Sequence, residues 1–147
     1  MLKPLFAAAI LLAHAAAFAQ ATPVGLWKTI DDETKKEKSL IRITDAGGVL
    51  TGKLEKFLDP ATAVDAVCDK CPDERKDKPL MGMTLIRNVK HSASDVALWE
   101  GGDIVDPNNG KVYKVRLTPA DGGKKLEVRG YIGMPLLGRT QTWIRVE

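Results

Sequence analysis

Apolar and polar residues alternate with a period of two along much of this chain. Leu50, Gly52 and Leu54 are interleaved with Thr51, Lys53 and Glu55; Tyr113, Val115 and Leu117 with Val112, Lys114 and Arg116; Leu126 and Val128 with Lys125, Glu127 and Arg129. Successive side chains of a strand point to opposite faces, so each segment predicts a strand with one buried and one wetted face. Asp45-Ala46-Gly47-Gly48, Asp106-Pro107-Asn108-Asn109-Gly110 and Asp121-Gly122-Gly123 fall between such segments. They are hairpin material, because Gly and Asn adopt positive φ at low cost. The pattern predicts eight strands, near Gly25–Ile30, Ser39–Thr44, Val49–Leu58, Met83–Lys90, Asp95–Ile104, Lys111–Thr118, Lys124–Tyr131 and Thr140–Val146. Short sequential strands joined by tight turns bury their apolar faces by curling into an up-and-down antiparallel barrel or by closing a sandwich. An eight-stranded barrel is just wide enough for side chains or one small ligand. The one long interruption, Asp59–Pro79, reads as loop, with room for a helical turn over Asp59–Asp65. No internal repeat and no second domain is visible.

The amino terminus follows a different pattern. Lys3 precedes an apolar run, Leu5–Phe18, built almost wholly of Ala, Leu, Ile and Phe, and Ala17-Phe18-Ala19 closes it. A positive start, a short apolar stretch and a small-x-small ending predict a signal peptide over residues 1–19, cleaved before Gln20. Residues 20–147 would then be one domain, in the periplasm or secreted. The run of roughly 14 residues is short of the roughly 20 needed to span a bilayer, so no stable membrane insertion is expected. No cysteine stands directly after the run, so no lipid attachment of the bacterial lipoprotein kind is expected.

Composition narrows the partners. The 147 residues, 44% hydrophobic and 28% charged, suit one soluble domain, and 13 Gly and 8 Pro against 5% aromatic argue against a coiled coil. The formal charge of +3 falls by one when Lys3 leaves with the leader. Signs alternate at Lys53, Glu55 and Lys56 and again at Lys125, Glu127 and Arg129, so no basic face for nucleic acid is expected. Asp31-Asp32-Glu33 followed by Lys35, Lys36 and Lys38 cancels itself and reads as a solvated hairpin tip.

Chemistry-bearing residues are few. Cys68 and Cys71 are the only cysteines. In an exported chain they are expected to form a disulfide, worth only about 2 kcal/mol for so small a loop, shaping the loop more than the fold. A redox pair would sit at a strand-to-helix junction, and Pro72-Asp73-Glu74-Arg75 gives no helical context. Zinc needs about four ligands, and no second thiol pair exists. His91, with Ser92 and Asp95, reads as a turn rather than a catalytic triad, and Asp103 and Asp106 as turn-flanking acids. No phosphate loop or dinucleotide fingerprint is present, no cofactor is expected, and no constellation supports catalysis. Trp27, Trp99, Trp143, Tyr113, Tyr131, Arg129 and Arg139 remain. They either contact an amphipathic or anionic ligand or fill and plug the barrel, where Trp27 beneath Arg139 or Arg145 would close one end.

Several segments in order carry a resemblance: Gly25-Leu26-Trp27, Cys68-Asp69-Lys70-Cys71-Pro72, Asp77-Lys78-Pro79-Leu80-Met81-Gly82-Met83, and Gly101-Gly102-Asp103-Ile104-Val105-Asp106-Pro107-Asn108-Asn109-Gly110-Lys111-Val112-Tyr113. With Val128-Arg129-Gly130-Tyr131-Ile132-Gly133 and Gly138-Arg139-Thr140-Gln141-Thr142-Trp143, the chain resembles the domain-of-unknown-function family DUF2147, exported bacterial proteins, over essentially its whole mature length. The resemblance implies an all-β, lipocalin-like (calycin-type) barrel and carries over no activity. The apolar connection from Tyr131 to Gly138 is expected as a lid at the barrel mouth or a loop packed over the barrel end. The function expected first is binding of a small hydrophobic or amphipathic ligand, with Arg129 or Arg139 orienting its polar end. A non-enzymatic interaction module of the cell envelope, its barrel filled, stands as the alternative.

Overall fold

The alternating segments become eight antiparallel strands: β1 (Gly25–Ile30), β2 (Glu37–Ala46), β3 (Val49–Phe57), β4 (Thr84–His91), β5 (Trp99–Val105), β6 (Val112–Ala120), β7 (Lys125–Tyr131) and β8 (Arg139–Arg145). The computed structural model describes residues 21–147; the expected leader over 1–19 and its cleavage before Gln20 lie outside them. Each strand pairs with the next, and β8 returns to β1 through Trp27↔Arg145 and Lys28↔Ile144. That last pairing decides for a barrel over a sandwich, because it leaves no sheet edge unpaired. Register shifts in β2 between Leu40 and Ile41, and in β3 around Gly52, bend the strands as closure requires.

Period two places the faces. Ile41 and Ile43 of β2, Leu50 and Leu54 of β3, Val115 and Leu117 of β6, and Leu126 and Val128 of β7 all turn inward and are at most 5% exposed. Turn chemistry sets the register: Gly47 (φ 63°) and Gly48 (φ 87°) join β2 to β3, and the Asp45 carboxylate accepts the Gly48 amide at 2.7 Å. Most strand bounds differ from those expected by one or two residues, and the start of β5 by four. β2 starts two residues earlier, at Glu37, whose carboxylate takes Lys28 of β1 at 2.7 Å. β5 starts at Trp99 rather than Asp95, because Ser92 Oγ accepts the Asp95 amide and the Asp95 carboxylate accepts the Ala97 amide, winding that segment into a turn.

The connection from β3 to β4 is ordered by its own contacts. Cys68 and Cys71 are disulfide-bonded, and both are buried with the core. Where a helical turn had room, two separate hydrogen-bonded turns form instead, the Thr62 amide on the Asp59 carbonyl and the Ala66 amide on the Ala63 carbonyl. Beside the disulfide lies Arg75, 5% exposed, donating to both carboxylate oxygens of Asp73 (2.9 and 2.6 Å) and to the Thr84 carbonyl at 3.0 Å. A cation buried in this way must be paired and hydrogen-bonded. The Arg75 hydrogen bonds hold the Asp73 carboxyl from its ordinary 3.8 down to about 2. The stability Asp73 contributes is therefore complete above its unfolded value and lost as pH falls through about 2. Asp73→Asn is expected to lower the urea midpoint at pH 7, and the gap from the unaltered protein is expected to have narrowed sharply by pH 2. An equal gap at both pH values would refute the role given to this pair.

Candidate functional site

The barrel is sealed at one end. Trp27, with no exposed surface, donates its indole N–H to the Pro23 carbonyl at 2.7 Å. The Arg145 guanidinium lies 4.2 Å from its ring centroid. That guanidinium donates to the carbonyls of Gly123, Val24, Glu147 and Thr22, so the cation covers the aromatic face while its N–H groups tie the segments before β1 and after β8 to the β6–β7 turn. Arginine suits this position because its planar fork stacks and still donates outward. Of the two arginines expected as the plug, Arg145 fills the role and Arg139 stands at the opposite end.

At that opposite end the barrel stays open. A cavity of about 350 Å³ enters between the β1–β2, β3–β4, β5–β6 and β7–β8 connections. Its wall is divided by chemistry. Hydrogen-bonding side chains come from three neighbouring strands, Thr29 of β1, Ser39 of β2 and Gln141 of β8, and across from them Tyr113 of β6 adds a phenol whose oxygen accepts Asn109 Nδ2 at 3.0 Å. Hydrocarbon comes chiefly from the facing arc, Leu54 and Phe57 of β3, Leu85 of β4, Ile104 of β5 and Val128 of β7. Trp143 of β8 lies between the two, 2% exposed, and its indole N–H donates to Gln141 Oε1 at 3.1 Å. The Thr29 and Ser39 hydroxyls are hydrogen-bonded to each other at 2.8 Å.

Charges gather at the rim and are paired there. Lys38 reaches Asp59 at 2.6 Å, and that hydrogen bond raises the ammonium above its ordinary range while lowering the carboxyl. Arg139 reaches Asp32 at 2.7 Å, with its own side chain 69% exposed. The Asp31 carboxylate accepts the Thr34 amide and hydroxyl and the Glu33 amide, which holds it below the usual carboxylate range. Asp106 accepts the Asn108 amide within its own turn. Of the charge block read as a solvated hairpin tip, Asp31 and Lys38 thus line the cavity mouth.

The seven residues marked from the sequence separate into two groups. Tyr113, Arg139 and Trp143 line the cavity. The other four lie elsewhere, each for a visible reason. Trp27 is the floor. Trp99 sits near the sealed end, stacked on His91 with ring centroids 4.5 Å apart, and His91 Nε2 donates to the Val96 carbonyl at 2.8 Å. Tyr131 lies on the wetted face under Arg116, 5.9 Å from its ring centroid. Arg129 also faces outward, donating to the Pro135 carbonyl (2.8 Å), the Leu136 carbonyl (3.3 Å) and Thr140 Oγ1 (2.8 Å). Those bonds hold the Tyr131–Gly138 connection away from the opening. It is neither lid nor packed loop: Leu136 is 83% and Leu137 76% exposed, and neither lines the cavity. The sequence reading missed Thr29, Ser39 and Gln141. Gln141 carried a signal, since once Trp143 points inward period two points Gln141 inward as well.

The sulfurs of Cys68 and Cys71 are bonded to each other and buried, and no group of three or more His, Cys, Asp or Glu is placed to hold a metal among the described residues. No helix among them is long and apolar enough to cross a membrane.

A search of curated proteins finds no match to this chain. Among solved structures it is similar to Protein HP1028 from the human pathogen Helicobacter pylori, described as belonging to the lipocalin family, at 19% identity and a TM-score of 0.73, covering 87% of this chain and 85% of that one. A family model described as an uncharacterized protein conserved in bacteria matches residues 25–145, and with its closed eight-stranded, lipocalin-like barrel this chain belongs to the DUF2147 family.

Proposed function

We propose that this protein is exported and encloses one small hydrophobic or amphipathic molecule in the open half of its barrel. The observation that carries the reading is the cavity itself. Its roughly 350 Å³ lies within the range of small-molecule sites, and it combines apolar walls with a few hydrogen-bonding groups. A filled barrel would have placed side chains there, so the alternative of an envelope module without a pocket has the cavity against it. Export is supported by the leader pattern over residues 1–19 and by the bonded Cys68–Cys71 pair, since such bonds persist in oxidising compartments. No cofactor and no catalytic step enters this reading; the mechanism is enclosure.

The neutral dye N-phenyl-1-naphthylamine tests it. The dye is expected to bind one to one, with emission excited through Trp143 on the cavity wall. Val128→Trp, which fills the space, is expected to weaken binding at least tenfold while leaving the β-sheet circular dichroism unchanged. Dye binding of equal strength in the filled variant would place the site elsewhere and end the reading.

A further inference from the structure

The polar arc of the cavity has hydrogen-bonding capacity left over. An indole N–H can only donate, so the atom of Gln141 facing Trp143 is the amide oxygen, and the amide nitrogen keeps both protons. No partner for that nitrogen exists among the described residues, and Gln141 lines the cavity. In the Thr29–Ser39 pair one hydroxyl donates to the other, so one O–H proton and several lone pairs face the same space. The arc therefore offers donors and acceptors together and no charge. Lys38 and Arg139 stand at the rim, bonded to Asp59 and Asp32. Asp31 and Asp106 add two further carboxylates to the mouth. An anion entering would pass the carboxylates of Asp31, Asp32, Asp59 and Asp106 together with Lys38 and Arg139, each bonded to one of them, and Lys70, which donates to the Asn108 carbonyl, and would find no cation along the wall beneath. A buried charge without a partner is strongly disfavoured.

We propose that the cavity selects an uncharged ligand that lays a hydrogen-bonding edge along Thr29, Ser39 and Gln141 and hydrocarbon against Leu54, Leu85 and Val128. Amides, alcohols and neutral carbonyl compounds on a compact apolar frame satisfy this; fatty-acid anions do not. The inference rests on the enclosure reading above and adds the ligand's class. It also reassigns the polar contact from the two arginines to a neutral girdle, because Arg129 faces outward and Arg139 is engaged at the rim.

Isothermal titration with four ring-matched probes tests it: 2-naphthamide, 2-naphthoate, naphthalene and 2-naphthylmethylammonium. The amide is expected to bind at least tenfold tighter than the carboxylate, the ammonium or the bare ring. Gln141→Leu is expected to reduce the amide's advantage over naphthalene at least fivefold while leaving naphthalene binding within twofold. Ser39→Ala is the second variant, with the same sign and a smaller change, and it leaves the Gln141–Trp143 pair intact. Carboxylate or ammonium binding as tight as the amide's would overturn the assignment of class while enclosure stands. An amide-to-naphthalene ratio unmoved in both variants would overturn the assignment of the girdle. Failure of all four probes, together with failure of N-phenyl-1-naphthylamine, would remove the enclosure reading itself.

Discussion

Trp27→Ala is expected to lower the folding stability by about 3–5 kcal/mol, the range for truncating a large buried aromatic. Trp27 has no exposed surface, and the change removes three things at once. It vacates the floor of the barrel, takes the N–H from the Pro23 carbonyl, and leaves the Arg145 guanidinium without the ring it covers. Native domains have only about 5–15 kcal/mol to lose, so a large share of the stability would go. Urea unfolding followed by circular dichroism measures it. Trp27→Phe keeps most of the ring and loses the N–H, and is expected to cost less. Trp143→Ala separates floor from wall: that ring borders the cavity, where water replaces it, so the expected loss of stability is smaller and the loss of dye binding larger. A change under about 1 kcal/mol for Trp27→Ala would show that the floor is not what holds the segments before β1 and after β8 together.

Gly110→Ala is the other change with a large expected effect, about 2–5 kcal/mol, for two separate reasons. Gly110 has φ 72°, where a Cβ adds strain of about 1–2 kcal/mol. A Cβ there would also overlap the backbone carbonyl of Lys70, inside the disulfide-bonded loop, and such overpacking costs about 1–3 kcal/mol more. The two mouth connections meet at this point, with Lys70 Nζ also donating to the Asn108 carbonyl at 3.2 Å. The substitution should therefore push the β3–β4 and β5–β6 connections apart and widen the opening. Gly133→Ala provides the comparison, because Gly133 has a similar φ of 80° with nothing near its would-be Cβ. Only the strain applies there, so about 1 kcal/mol is expected. Hydrogen exchange at the amides around Cys71 reads the loop directly: faster exchange in Gly110→Ala and unchanged exchange in Gly133→Ala. Equal effects of the two substitutions would mean that the contact with Lys70 is not close in solution.

The division between sequence and tertiary structure runs along a physical line. Strands, their inward faces and the hairpin turns depend on nearest neighbours: a period of two, Gly or Asn where φ is positive, Asp where a turn amide needs an acceptor. Those features were legible, and Leu50, Val115, Leu126 and the Gly47-Gly48 turn lie where the alternation puts them. The pairing of Cys68 with Cys71 was legible because there are only two cysteines. Alternation left barrel and sandwich both open, and closure was implied only by the family resemblance, because the sheet needs β1 to find β8, a contact between residues more than a hundred positions apart. The same holds for the site. Arg139 and Arg145 lie six residues apart on one strand, yet one is at the open rim and the other beneath the floor. Neither composition nor spacing tells them apart; the end of the cylinder at which each strand begins does. Thr29, Ser39 and Gln141 are ordinary strand residues until closure brings β8, β1 and β2 side by side, and only then do their hydrogen-bonding groups share one wall. The chain wrote its strands locally, and the closing of the ring decided which side chains face the cavity.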